Sequence, residues 1–364
     1  SVVGPKVSGA LDADTLDAAP LIAAAIGMPV TGKSNGAAWT WSSDPFAGGL
    51  FGDRSGEIAF KARQEALLPR FTAREFRAAL HLKPNGLAVD NITGTLAGGR
   101  LTGALSFQSG QDGVKTHAAF SLAGADAASM LPSGARPPLA GTLDLSADIE
   151  GSGLSPVALI GSLQGSGKIA LADAQIAGLD PRAFDAVTRA VDQGLPIDTA
   201  RISDAVGKAL DSGDFAVKRI DGTLAVSAGQ VRLGKTAAES KDAALSLSGD
   251  LDLTDGSLDA RLVLSGVSQA AGARPDIFMA LKGPLTDPKR NIDVSALTGW
   301  LTLRAVENQA RQIREMEKAQ RQAPPPPKPK SELAPALPAP VEIKRLPDST
   351  RRVPSAASAS GAEN

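Results

Sequence analysis

The chain has 364 residues, 38 Lys or Arg against 39 Asp or Glu, a formal net charge of −1 and an apolar share of 43%. That near-neutral balance sets nucleic acid aside as a partner, since phosphate recognition needs a basic surplus on one face. With no Cys and 2 His, disulfides, thiol nucleophiles, zinc fingers and Fe–S clusters are excluded, and no metal or other cofactor is expected.

The chain opens at Ser1 with no Met and no charged-then-apolar leader, which reads as a piece whose N-terminal part has been lost. Its first elements are a strand and then a helix around Ala18 to Ile26. The apolar run Pro20 to Val30, broken by Gly27 and Pro29, falls short of the roughly 18 uninterrupted apolar residues that a membrane span takes.

Alternating apolar and polar residues then dominate. Leu101, Gly103, Leu105 and Phe107 form one series, and Leu139, Gly141, Leu143, Leu145, Ala147 and Ile149 another. Leu245, Leu247, Gly249, Leu251 and Leu253 repeat the pattern, which resumes after Asp255-Gly256 with Leu258, Ala260, Leu262 and Leu264. Period-two alternation predicts antiparallel strands with one apolar and one wet face, and Asp-Gly between two such runs predicts a hairpin. Gly-Thr-Leu recurs at 94–96, 141–143 and 222–224 and is read as a strand opener in a degenerate hairpin repeat.

Helical periodicity interrupts the strands over about 179–213. Asp180 as N-cap and Pro181 at N1 open a helix carrying Phe184, Val187 and Val191, closed by Gly194. A second helix from Thr199 to Gly213 groups Ile202, Val206 and Leu210. A third, over 296–322, carries Leu297, Trp300, Leu301, Val306, Ile313 and Met316 among Arg304, Arg311, Arg314, Lys318 and Arg321. Two readings of it stand: a cap packed by Trp300 and Leu301, or an amphipathic helix lying on an anionic membrane. From 323 to 364 the chain is rich in Pro, Ala and Ser and is expected to be a disordered tail.

Several motifs are weaker than they look. Gly27 to Ser34 satisfies the Walker A pattern, but a P-loop needs a strand before it and a helix opening at the Lys, and here a helix-like segment precedes it. A turn is the better reading. The clusters Asp144, Asp148 and Glu150, and Asp250, Asp252, Asp255 and Asp259, put carboxylates on the polar sides of strands, and are read as solvated faces before catalytic pairs. Gly165-Ser166-Gly167 is read as a turn and His81 and His117 as structural or surface residues.

In order along the chain, several segments resemble the C-terminal region of bacterial AsmA-like proteins, relatives of TamB and YhdP. These are Leu11 to Asp17, Gly94 to Gly103, Gly178-Leu179-Asp180 before the two helices, and Asp214-Phe215 with Ile220 and Gly229. Gly249 to Leu253 with Leu258-Asp259, and Lys282 to Pro288 with Asp293, complete the set. The resemblance implies the periplasmic region of a protein anchored in the Gram-negative inner membrane by an N-terminal helix absent from this chain. It further implies a β-groove that carries phospholipid towards the outer membrane, with a possible outer-membrane partner. No catalytic residues belong to the family pattern, so no enzyme is expected. The Pro-rich extension is not a general family feature.

The expected fold is therefore mainly β: an elongated, curved antiparallel sheet over 1–295, a helix over 296–322 and the tail. Candidate lining residues for acyl chains are Leu101, Leu105, Phe107, Leu143, Leu145, Leu224, Val226, Leu247, Leu251, Leu262 and Leu264, with burial under the short helices as the competing role. A periplasmic scaffold that assists outer-membrane protein assembly without lipid is the alternative function. A carbohydrate-active protein using the Asp clusters fits poorly, because Trp and Tyr platforms are scarce.

Overall fold

Alternation gives each strand an apolar and a wet face, and short turns or short helical connections return each strand beside the last. The computed structural model describes residues 6–28, 41–47, 55–68, 71–131, 137–266 and 275–322. Its first half runs β1 (Lys6–Asp17), α1 (Ala18–Ile26), β2 (Ser55–Leu68), β3 (Phe71–Lys83), β4 (Gly86–Leu96), β5 (Gly99–Gly110), β6 (Gly113–Asp126), α2 (Ala127–Met130) and β7 (Leu139–Gly153). There follow α3 (Pro156–Gly161), β8 (Gln164–Ala177), α4 (Ala183–Asp192), α5 (Thr199–Asp211) and β9 (Asp214–Ser227). The chain continues through β10 (Gln230–Glu239), β11 (Ala243–Asp252), β12 (Ser257–Gly266), β13 (Ile277–Pro284), β14 (Lys289–Asp293) and α6 (Ser295–Gln322).

All fourteen strands form one open, curved sheet whose order in space is their order in the chain. Every pairing is antiparallel except the first: β1 runs parallel to β2. The expectation of uniformly antiparallel strands is corrected there, because α1 carries the chain back across the sheet before β2 begins, which makes a βαβ crossover. Short turns join β3 to β4, β4 to β5, β5 to β6, β9 to β10, β10 to β11, β11 to β12 and β13 to β14, whereas α2, α3 and the pair α4 and α5 lie between β6 and β7, β7 and β8, and β8 and β9. In Ala97-Gly98 and Ala228-Gly229 both residues have positive φ, the turn whose twist matches that of paired strands.

The Gly-Thr-Leu reading is also corrected. Residues 94–96 end β4, 141–143 lie near the start of β7, and 222–224 sit in the second half of β9. They mark alternation, not a repeated position. Gly165-Ser166-Gly167, read as a turn, lies inside β8 opposite Ile149, Asp148 and Ala147 of β7.

Bulges break the simple period. In β4 the apolar series runs Leu87, Val89, then Ile92 and Gly94; in β6 it runs Phe120, Leu122, then Ala125. In β8 it runs Ile169, Leu171, then Ala174, and in β10 Val231, Leu233, then Thr236. Each extra residue switches the apolar face between odd and even numbers. Asn91 (φ 53°), Gly124 (φ 73°) and Asp173 (φ 49°) occupy the left-handed position, which suits these residue types.

Two apolar clusters form on this face. In one, Phe184 and Val187 of α4, Ile202, Val206 and Leu210 of α5, and Leu297 and Leu301 of α6 pack onto Phe215, Leu245, Leu264 and Ile277. In the other, Ala127 of α2 joins Phe60, Phe76, Leu101, Leu122, Leu143 and Leu171. At the opposite ends of the strands α3 packs against β7, capped by Ser155, whose Oγ accepts from the Ala158 N–H. Gly153 makes room for it: a Cβ there would lie 2.3 Å from Leu159 N.

Asp180 holds the helical insertion together. Its carboxylate accepts from the Arg182 N–H (2.9 Å), from Arg182 Nε and Nη2 (3.0 and 2.8 Å) and from Ser212 Oγ (3.3 Å). Its own N–H donates to Leu210 O at 3.1 Å, so the start of α4 is tied to the end of α5. α4 itself begins at Ala183, one turn after this cap. α5 is capped by Asp198, which accepts from the Arg201 N–H at 2.9 Å.

The first turns of α6 complete the core, with Leu297 and Leu301 buried and Arg304 bonded to Asp192 at 3.0 Å while lying 5.6 Å from the Trp300 ring. Residues up to Arg311 form one compact unit and Gln312–Asn364 a second, of which the described part is the end of α6. The expected tail over 323–364 lies outside the described residues.

The Arg182 hydrogen bonds hold the Asp180 carboxyl below its ordinary 3.8, against the opposing push of burial. A depressed folded value means that Asp180 stabilises the fold above the ordinary carboxylate range and loses that contribution as pH falls through the lowered value. Asp180→Asn should therefore lower the urea midpoint near pH 7, and the gap between the two proteins should narrow as pH falls below 3.8.

Candidate functional site

Strand register places all eleven candidate lining residues on one face. Leu101 pairs with Leu122, Leu122 with Leu145 and Leu145 with Ile169. Leu105 leads through Ala118, Ile149 and Gly165 to Val226, then through Val231 to Leu251 and Leu258. Leu247 pairs with Leu262 and Leu245 with Leu264. Directly opposed residues in antiparallel strands share a face, so the apolar surface is continuous from β4 to β12.

Its cover is uneven. Leu264 is fully buried and Leu262 nearly so, under α4, α5 and α6, with Leu247 packed beside them. Leu101 and Leu143 are buried in the second cluster and Leu145 packs against it. These six contribute to the core. Leu105, Phe107, Leu224 and Leu251 are half-buried, Val226 is buried, and all five lie outside both clusters.

A band crosses the strands between the helices at their two ends. Along it the register runs Ile92, Gly103, Phe120, Ala147, Gly167, Leu224, Leu233 and Gly249. Gly103, Ala147, Gly167 and Gly249 intersperse the large residues with small ones, and Phe120 is 36% exposed. Phe120, Val231 and Leu233 belong to this surface and were not singled out from sequence, and Ile149, read there only as part of an alternating series, belongs to it too. Thr116, Ala118, Phe120 and Leu122 do alternate, but Ala and Thr dilute the signal.

The opposite face is polar and internally paired. His117 Nε2 lies 3.0 Å from Asp148, Gln164 donates to Glu150 at 3.0 Å, Arg232 to Asp250 at 2.7 Å and Lys282 to Asp259 at 2.8 Å. Asp144 accepts from the Gly124 N–H at 2.8 Å and so braces the β6 bulge. The Asp clusters are thus cross-strand ladders and bulge partners. A depression of about 460 Å³ is lined in part by Asp144, Lys168, Arg219, Asp221 and Lys235. Hydrogen bonding to Asp221, and then the Asp144 charge, raise the Arg219 guanidinium above its usual range. His81 lies 3.7 Å from Asp90. Among the described residues no three His, Cys, Asp or Glu are placed to hold a metal ion.

Gly27 ends α1 with φ 72°, donating to Ala24 O, while the Met28 N–H reaches Ala23 O at 2.7 Å. A helix therefore precedes the Walker-like run where a P-loop needs a strand; residues 29–34 lie outside the described residues. Among the described residues no helix is long and apolar enough to cross a membrane.

A long sequential sheet with one continuous apolar face, covered by helices at its ends and half-exposed between, defines a β-groove protein. The AsmA family model matches residues 33–236, more than half of the chain, and the protein belongs to the AsmA family. No curated protein and no solved structure matches it.

The uneven cover predicts uneven energetics. Leu264→Ala should cost about 2–5 kcal/mol in urea unfolding, as buried Leu truncations do. Leu224→Ala, which leaves a half-open site, should cost about 1 kcal/mol.

Proposed function

We propose that this AsmA-family chain holds phospholipid acyl chains along its half-exposed apolar band. It would serve as the periplasmic region of an inner-membrane-anchored protein that moves lipid between the two membranes of a Gram-negative envelope. The observation that carries this reading is the continuity of one apolar face from β4 to β12 with its middle left half-exposed. Binding would come from area alone, about 0.8 kcal/mol per methylene removed from water, with no reaction and no cofactor. The absence of large side chains at Gly103, Ala147 and Gly167 suits a thin, flexible ligand.

A second reading is a non-lipid periplasmic scaffold that assists outer-membrane protein assembly. It is favoured by how fully α4, α5 and α6 already cover Leu245, Leu262 and Leu264.

One experiment separates the two. Protein purified gently from a Gram-negative periplasm should retain phospholipid above an unrelated β-protein of similar size, by extraction and mass spectrometry. Leu105→Glu, Leu224→Glu and Leu251→Glu together should bring retention down to that control while circular dichroism stays unchanged. Retention that survives the triple substitution would sink the groove, and wild-type protein that neither retains nor takes up phospholipid would favour the scaffold.

A further inference from the structure

Nine large apolar side chains are exposed among the described residues, and four lie on α6: Leu303, Val306, Ile313 and Met316, with Leu303 at 68%. At about 100° per residue, Leu303, Val306, Ala310 and Ile313 fall within an arc of about 80°, and Met316 about 60° beyond it. The docked residues Leu297 and Leu301 lie on the opposite side of the helix, about 180° away. The packing that fastens α6 thus does nothing to cover this stripe.

Spacing and charge say what fits it. The 3-4 spacing of Leu303, Val306, Ala310 and Ile313 next reaches Glu317 and Gln320. A coiled-coil seam would therefore stop after about two heptads, short of the three or four that such pairing takes. Arg311, Arg314, Lys318 and Arg321 instead run along one flank of the stripe, where they outnumber the single Glu307. Residues 303–364 hold eleven Lys or Arg against seven Asp or Glu, although the whole chain is net −1. An exposed apolar stripe with a basic flank, in a segment of reversed charge, matches an anionic bilayer surface.

We propose that α6 docks the protein onto an anionic membrane surface, with Leu303, Val306, Ile313 and Met316 entering the headgroup region beside the basic flank. This goes beyond lipid carriage along the sheet and does not depend on it. The cap and membrane roles of the helix are then not rivals: its first turns close the core and its later turns face lipid.

Vesicle flotation of the full chain tests this. It should float with vesicles containing phosphatidylglycerol, and much less with phosphatidylcholine alone. Val306→Glu with Ile313→Glu should cut the bound fraction about tenfold. Lys318→Glu with Arg321→Glu should cut phosphatidylglycerol binding about tenfold, and high salt should do the same. The Leu105, Leu224 and Leu251 triple variant should float normally even when emptied of lipid, which keeps this inference separate from the groove. Failure of the wild-type chain to float, or flotation unchanged by Val306→Glu with Ile313→Glu, overturns the proposal. If that pair of changes instead dissolves a dimer seen by light scattering and leaves flotation intact, the stripe belongs to a second copy of the chain.

Discussion

Alternation is the constraint on which this structure rests. A side chain reaches the apolar face because those two residues away do, and a slip of one residue would turn a whole strand outward. The sheet nevertheless inserts extra residues in β4, β6, β8 and β10. It remains consistent because the sequences change parity at those points, so that Leu122 and Ala125 are both buried, as are Leu171 and Ala174. The apolar face survives the bulges, and the bulges add local twist and bend to the strands that carry them.

That face then has to be covered or used. Among the described residues, the C-terminal strands receive three helices whose buried side chains, from Phe184 to Leu301, close over Leu245, Leu264 and Ile277. The cluster around Leu101 and Leu143 takes only short α2 from the helices. The buried Asp180 carboxylate fixes the two insertion helices to one another and thereby fixes the lid. Stability is concentrated where the helices sit, and the band between them contributes less to it.

Much of this was legible in the residues. Alternation at Leu101 to Phe107 and Leu245 to Leu264 gave strands and a shared face, and the helical faces of Phe184, Ile202 and Leu297 fell where helices form. Less visible were features that depend on neighbours. The parallel start depends on where α1 returns the chain, which no local pattern encodes. Short α3 escaped notice although Ser155 and Pro156 form a helix start, because six residues show no periodicity. The small Thr116 and Ala118 hid Phe120, and the β10 bulge hid Leu233, from a period-two reading. Which Leu is core and which is half-open was not legible at all, since Leu224 and Leu264 have the same local pattern and differ only in what crosses above them.

The strictly sequential strand order has a further consequence. Each interior strand of the sheet hydrogen-bonds only with its chain neighbours, so the sheet is a one-dimensional stack, about 60 Å across its fourteen strands. Adding or deleting one hairpin changes that span by about 10 Å and leaves the orientation of every other strand untouched. Gain or loss of a single strand would reverse the direction of all that follow. Reach in such a protein is therefore a quantised property, set by counting hairpins, and a lineage could lengthen or shorten it by duplication without redesigning any interior contact.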